Sequence, residues 1–213
     1  MTNDIFLSPH FSLLELTESA TARQRDIANI PPPEAVENLK RLCKGTLEPL
    51  RKALGLPVII TSGYRCKELN NIVNRSSKTS QHMLGQAADF YVSSAASPRF
   101  NAAEPRFNGP LAQFKVQGSK VQGSLTKVRA TQGSMTKVQG SKVQGRREVL
   151  IKAFRLIITS PEIDYDQLIL YPNFIHVSYV SKERNRHNIL KARSNGKLGY
   201  GKLSYANAIL LNY

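Results

Sequence analysis

Residues 80–90 read SQHMLGQAADF, and this stretch decides the fold. His82 and Asp89 flank Gly85, where the chain can turn, and Ala87–Val92 then reads as a strand. Upstream, Ile60–Arg65 reads ITSGYR, in which the β-branched run Val58–Thr61 forms a short strand that Ser62-Gly63 ends. Downstream, Ile175–Ser178 reads IHVS, within a second extended stretch. A turn at Gly85 leading into a strand fits the span from His82 to Asp89, and His176 on another strand closes a triangle with them. A zinc site needs three protein ligands and one open position, and imidazole with carboxylate suits that metal. Taken singly these residues carry little weight. A lone histidine is ordinarily a surface or hydrogen-bonded residue, and Arg65 after a tight turn is ordinarily a solvated charge. The ordered combination, each member on a strand or strand end, carries the argument.

Working outward, Pro31-Pro32-Pro33 followed by Glu34 marks a helix start. Val36, Leu39, Cys43, Leu47, Leu50 and Leu54 recur at helical spacing, Gly55 closes the helix, and Pro49 predicts a kink or break within it. A second helix is expected over Lys67–Val73, with Leu69, Ile72 and Val73 inward. Arg147–Thr159 is amphipathic, with Val149, Leu150, Ala153, Phe154 and Ile157 on one face, and Pro161 stops it. Gln167–Leu170 and Phe174–Tyr179 form a hairpin across Pro172-Asn173. The expected class is α+β, a small antiparallel sheet with helices packed on it.

The segment Lys115–Gly145 repeats KVQGS with a glycine in every unit and no apolar face at helical spacing. Such composition buries too little surface to offset ordering entropy, so 94–145 is expected to be a disordered low-complexity insertion. The chain then divides into 1–93, the N-terminal part of the domain; 94–145, the insertion; 146–181, the C-terminal part; and 182–213, a basic C-terminal extension. Of the net charge of +15, +7 falls in Ser93–Gly145 and +6 in Ser181–Tyr213, which leaves +2 for the remainder. The part expected to fold is nearly neutral, which argues against nucleic acid as a partner.

No apolar run is long enough to span a bilayer, and the N-terminus MTNDIFLSPHFSLLEL shows no secretory leader, so synthesis in the cytoplasm is expected. Two cysteines make no disulfide framework. Cys43 lies on the apolar stripe of a helix and reads as a buried thiol, and a disulfide with Cys66 stays open.

The motifs ITSGYR, SQHMLGQAADF and IHVS, with the opening LSPHFSLLEL at Leu7–Leu16, resemble the zinc D-Ala-D-Ala carboxypeptidases, a family that includes phage endolysins and D-Ala-D-Ala dipeptidases. The resemblance covers about Leu7–Val92 and Arg147–Ser181. It implies a Hedgehog/D,D-peptidase-like zinc domain with one Zn2+ per chain on His82, Asp89 and His176. It implies that Arg65 steadies the substrate carbonyl or carboxylate and that Ser80, with neighbouring Gln81, lies at the substrate. The substrates implied are peptidoglycan stem peptides, and a monomer is expected. Action at the cell wall would require release or a non-standard export route.

One departure concerns the base. The family places an acidic residue shortly before the last histidine, as general base on the attacking water. Here Asn173 stands three residues before His176, and Tyr171 ends the preceding strand. Neither takes a proton from water at neutral pH. Asp164 and Asp166 are the nearest carboxylates. A hairpin turning at Pro172-Asn173 sets Ile169 opposite His176, with Gln167 and Tyr171 on its face and Asp166 on the other. Tyr171 is then a hydrogen-bond donor, and Asp166 serves as base if the strand bulges. The two readings are a zinc metallopeptidase and a zinc module that recognises cell-wall peptides with little or no turnover.

Overall fold

The computed structural model describes residues 4–73, 77–93, 134–192 and 200–211, and for 134–144 the backbone alone. A two-stranded ribbon, β1 (Phe6–Ser8) and β2 (Phe11–Ser12), opens the chain and leads into the short helices α1 (Leu13–Thr17) and α2 (Ala20–Gln24). Each helix is capped by a serine, with Ser12 accepting from the Glu15 amide and Ser19 from the Ala22 amide.

Pro49 shapes the next helix. The expected run is present as α3 (Pro33–Leu42), a π turn over Cys43–Leu47, and α4 (Glu48–Leu54). A proline has no N–H to give to the carbonyl four residues back, here Gly45. The Gly45 carbonyl instead accepts the Asp164 amide at 3.1 Å, so the break ties this helix to the chain ahead of the hairpin. Gly55, with φ of 62°, ends α4 in the left-handed conformation.

β3 (Val58–Ser62), α5 (Lys67–Ile72) and β4 (Ala87–Val92) follow. Then come α6 (Ser134–Thr159), β5 (Gln167–Leu170), β6 (Ile175–Ser178), β7 (Asn188–Ala192), β8 (Tyr200–Lys202) and α7 (Tyr205–Ile209). The main sheet has the order β3-β4-β6-β5-β7-β8. All its pairings are antiparallel except β5 with β7, so the sheet is mixed, larger than the small antiparallel sheet expected. The α+β class holds.

Strand alternation sorts the side chains. Ala88, Phe90 and Val92 of β4, Ile175 and Val177 of β6, and Leu168 and Leu170 of β5 enter one core with Leu39, Leu42, Leu47, Leu50, Phe154 and Ile157 of the helices. The intervening residues, Asp89 and His176 among them, take the opposite face. This division puts a polar site on a rigid sheet without disturbing the core.

Three expectations need correction. Segment 182–213, set apart as a basic extension, supplies β7, β8 and α7, and its Ile189 and Ala208 are buried in the main core. Of its charges, Lys202 stands on the edge strand β8, where a lysine discourages further pairing. Residues 134–145, assigned to the low-complexity insertion, have helical backbone continuous with the amphipathic helix, which begins at Ser134. Once the apolar face of 147–159 is docked, each added residue gains one hydrogen bond without a new nucleation cost. The rest of the expected insertion, 94–133, lies outside the described residues. Third, Ile72, expected inward, is 38% exposed, whereas Leu69 of the same helix is buried. Both cysteines are free; burial pushes the Cys43 thiol up to about 12.

Candidate metal centre

Asp89 and His176 are direct cross-strand partners on β4 and β6. The Nδ1 of His176 lies 2.8 Å from Oδ1 of Asp89. His82 arrives from a 3-10 turn, Gln81–Leu84, that sits over the sheet between Ser80 and Gly85. Gly85 closes this turn with φ of 69°, and its Cα passes so near Ala35 that an added Cβ would stand 2.3 Å from the Ala35 carbonyl oxygen. Only glycine satisfies both the left-handed backbone and that approach. The turn therefore holds His82 down, with 2% of its surface exposed.

The SGYR loop fixes the ring of His82. Its Nδ1–H donates to the Gly63 carbonyl at 2.7 Å, and the Arg65 amide donates to the His82 carbonyl at 3.1 Å. With the proton on Nδ1, Nε2 presents a bare lone pair to the site. This carbonyl–imidazole relation is the usual outer support of a metal-bound histidine. Burial disfavours the charged ring and lowers the His82 pKa, although Asp89 opposes that shift.

Three atoms converge: Nε2 of His82, Nδ1 of His176 and Oδ1 of Asp89. Their separations are 3.2 Å between the nitrogens, 3.4 Å from His82 to Asp89 and 2.8 Å from His176 to Asp89. Ligands at zinc bond lengths of about 2.0–2.1 Å in a tetrahedron stand about 3.3 Å apart. The trio matches that triangle in size and in donor type, and one tetrahedral position remains open. Burial on its own would raise the Asp89 carboxyl pKa, but His82 and His176 beside it hold it well below the usual carboxylate range. An ionised oxygen and a fixed bare nitrogen pointing at one place suit a cation.

Arg65 is nine-tenths buried, and its Nη2 lies 3.5 Å from Oδ2 of Asp89. Its Nε has no hydrogen-bond partner. Both residues line a groove of about 880 Å3 whose other wall comes from the N-terminal segment, including Glu15, Glu18 and Arg23. Asn29 joins the two walls. Its side-chain amide donates to the Thr17 and Tyr64 carbonyls at 2.8 and 3.0 Å, and its Oδ1 accepts the Cys66 amide at 2.8 Å. Nothing in the local sequence pattern around Asn29 signals this role.

The hairpin has the expected register, with Ile169 opposite His176. Tyr171 stacks on Phe174, and its hydroxyl bonds that of Tyr200 at 2.8 Å. Burial and the Tyr200 contact keep the Tyr171 phenol well above its ordinary range, so it stays protonated. Asn173 is exposed in the turn.

The remaining assignments change. Asp166 is 1% exposed and its oxygens are occupied: Gln81 Nε2 at 2.9 Å, Arg186 N at 2.9 Å, Arg186 Nε at 2.8 Å and Arg186 Nη2 at 2.5 Å. A carboxylate holding this many donors has no open lone pair for a water, so Asp166 does not fit the role of base. Asp164 uses only Oδ1, which accepts the Tyr165 amide and contacts His187, and its Oδ2 has no hydrogen-bond partner. Gln81, expected at the substrate, turns its amide to Asp166 instead. Ser80 leads into the turn with no side-chain cap bond. Among the described residues, His82, Asp89 and His176 are the group able to hold a metal ion.

Residues 9–107 match the family described as Peptidase M15. The zinc peptidase kinship inferred from the motifs is thus shown through this segment, which carries Arg65, His82 and Asp89. His176 lies beyond the match, and the sheet brings it to the other two. M15 peptidases are zinc-dependent, and His82, Asp89 and His176 form a donor set able to hold a metal ion. No curated protein and no solved structure matches the chain. No helix among the described residues is long and apolar enough to cross a membrane.

Proposed function

We propose that this domain is a zinc peptidase of the D,D-carboxypeptidase or endolysin-like kind, hydrolysing peptide bonds in peptidoglycan stem peptides. The reading rests above all on the three converging donor atoms, with the His82 tautomer set by the Gly63 carbonyl. His82, Asp89 and His176 would hold one Zn2+. Bound there, zinc would polarise the scissile carbonyl and lower the pKa of a water to about 7.

The chain's own residues do the rest. Arg65, buried at the groove and with its Nε unbonded, meets the substrate carbonyl or terminal carboxylate. Asp89 keeps that guanidinium in place through the 3.5 Å contact. Tyr171 and Tyr200 share one proton between their oxygens, which leaves one O–H donor for the substrate. Ser80 lies at the edge of the same turn as His82 and is assigned to substrate contact. The monomer is the proposed state.

A second reading, a zinc module that binds cell-wall peptides without turnover, is favoured by one observation. Asp166 is consumed by hydrogen bonds, and Tyr171 and Asn173 carry no carboxylate. Metal analysis combined with digestion of purified muropeptides separates the two. The peptidase reading expects about one zinc per chain and slow, chelator-sensitive release of D-alanine or cleavage within the stem. Zinc without cleavage leaves the binding module, and absence of zinc overturns both.

A further inference from the structure

The Asp166 carboxylate links three parts of the chain that sequence order keeps far apart. Its Oδ2 accepts the side-chain amide of Gln81 at 2.9 Å, and Gln81 is the residue before His82. The same oxygen accepts the Ser178 hydroxyl at 3.4 Å, and Ser178 lies two residues after His176, on the same face of β6. Arg186, in the connection between β6 and β7, closes on both oxygens from its Nε and Nη2 and adds its backbone amide. The carboxylate is 1% exposed, while the arginine side chain that neutralises it is 59% exposed.

We infer that Asp166 is a positioning residue for the metal site, tying the His82 turn to the His176 strand. The inference rests on the zinc reading above. His82 and His176 stand on elements with separate origins, a turn over the sheet and a strand within it. Their ring nitrogens hold a 3.2 Å separation, which metal geometry requires. The Gly63 carbonyl sets the ring orientation of His82 but does not tether its turn to β6. The Gln81–Asp166–Ser178 bridge does. Charge-assisted hydrogen bonds are about twice as strong as neutral ones, so this bridge is stiffer than an amide pair would be. Arg186 keeps the buried carboxylate ionised, which gives the 182–187 segment a place in the site's support.

Zinc affinity of the full chain, measured by competition with a chelating dye, tests this. The variants are Gln81→Ala, which cuts the arm to His82 and leaves the Arg186 pair, and Asp166→Asn, which weakens all arms. Both are expected to bind zinc 10–100-fold more weakly than wild type, the range found for outer-shell partners of metal ligands. Circular dichroism of the metal-free proteins reports folding separately, and Gln81→Ala is expected to melt as wild type does. If Asp166→Asn does not fold, Gln81→Ala alone decides. Wild-type zinc affinity in folded Gln81→Ala overturns the positioning role and leaves the zinc reading intact. A wild-type protein that binds no zinc overturns the reading itself and the positioning role with it.

Discussion

Asp89 and His176 face each other across β4 and β6 with Oδ1 and Nδ1 2.8 Å apart, and they come from the two sides of the long segment 94–133. Their pairing places a ligand from each half of the chain on one face of the sheet, and His82 closes over them. Removing any one donor leaves two, too few for a tight zinc site. Purified wild-type protein is expected to carry about one zinc by elemental analysis, and His82→Ala to lose most of it. An alanine variant that keeps its metal refutes the assignment.

The described contacts that bring the three donors together run through the sheet. β4 ends at Val92, and α6 packs through residues after Gly145. Replacing 94–133 with a short Gly/Ser linker is therefore expected to leave zinc content and melting temperature nearly unchanged. A large fall in melting temperature shows that this segment contributes to the domain's packing.

Gly63 is required for packing and for the ligand together. A Cβ built there stands 2.2 Å from the Leu16 carbonyl oxygen, a backbone atom that cannot rotate away. The Gly63 carbonyl also holds Nδ1 of His82. Gly63→Ala forces the loop and the N-terminal segment apart, at about 1–3 kcal/mol by the usual scale of overpacking. It also loosens the His82 ring, so zinc affinity is expected to fall with stability. Denaturant unfolding and chelator competition on the same sample read both. A stable variant with intact zinc affinity contradicts the close approach.

Acid stability follows from Asp166. Burial would raise its carboxyl pKa, but hydrogen bonds from Arg186 and Gln81 overcome this and lower it. A carboxyl depressed in the folded state stabilises the protein above its unfolded pKa, about 3.9. That contribution disappears as pH falls through the lower folded value. The metal-free wild type is expected to lose stability steeply below about pH 4, and Asp166→Asn to lose less over the same window while starting lower at pH 7. Hydrogen bonds to a charged group are worth about 1.5–3 kcal/mol, which sets the scale of that initial deficit. Parallel pH profiles for the two proteins contradict this role.

The legible part of the sequence was the part with strong periodicity. β4 alternates Ala88, Phe90 and Val92 inward with Asp89 and Tyr91 outward, so its strand and the side of its ligand could be read directly. The hairpin register followed from Pro172-Asn173 in the same way and is observed. β7 and β8 were not legible, because Asn188–Ala192 and Tyr200–Lys202 are short, lysine-bearing and set among charged residues, and resemble a tail until a neighbouring strand pairs with them. That omission concealed Arg186 and Tyr200. Asp166 then read as an open carboxylate, when a distant arginine closes it, and Tyr171 read as a lone phenol. The π turn was foreshadowed only by Pro49, since the acceptor freed at Gly45 is satisfied by Asp164 from far along the chain. Local pattern fixes elements and faces, whereas hydrogen-bond partners distant in sequence do not show in it.

The last prediction concerns proton transfer. Tyr171 lies on the His176 face of the sheet, and its phenol is affected electrostatically by both Asp89 and Arg65. Asn173 is exposed in the hairpin turn. Of these two positions that could carry a restored carboxylate, Tyr171 is the one directed at the site. A phenol held above its ordinary range accepts no proton from water at neutral pH, so Tyr171 itself supplies no general-base assistance, typically worth 10²–10⁴-fold. Tyr171→Glu is expected to raise turnover of D-Ala-terminated stem peptides at least tenfold, with kcat moving more than KM, because the new group acts on the reacting water and not on substrate binding. Asn173→Glu is expected to change little. Tyr171→Phe, which removes the O–H but adds no base, is expected to lower activity only modestly, and zinc content should hold in all three because the ligands are untouched. The measurement is single-turnover and steady-state hydrolysis by each zinc-loaded protein. Equal gains at both positions, or none at Tyr171 in a wild type already active at the family's rate, would show that another group supplies the base.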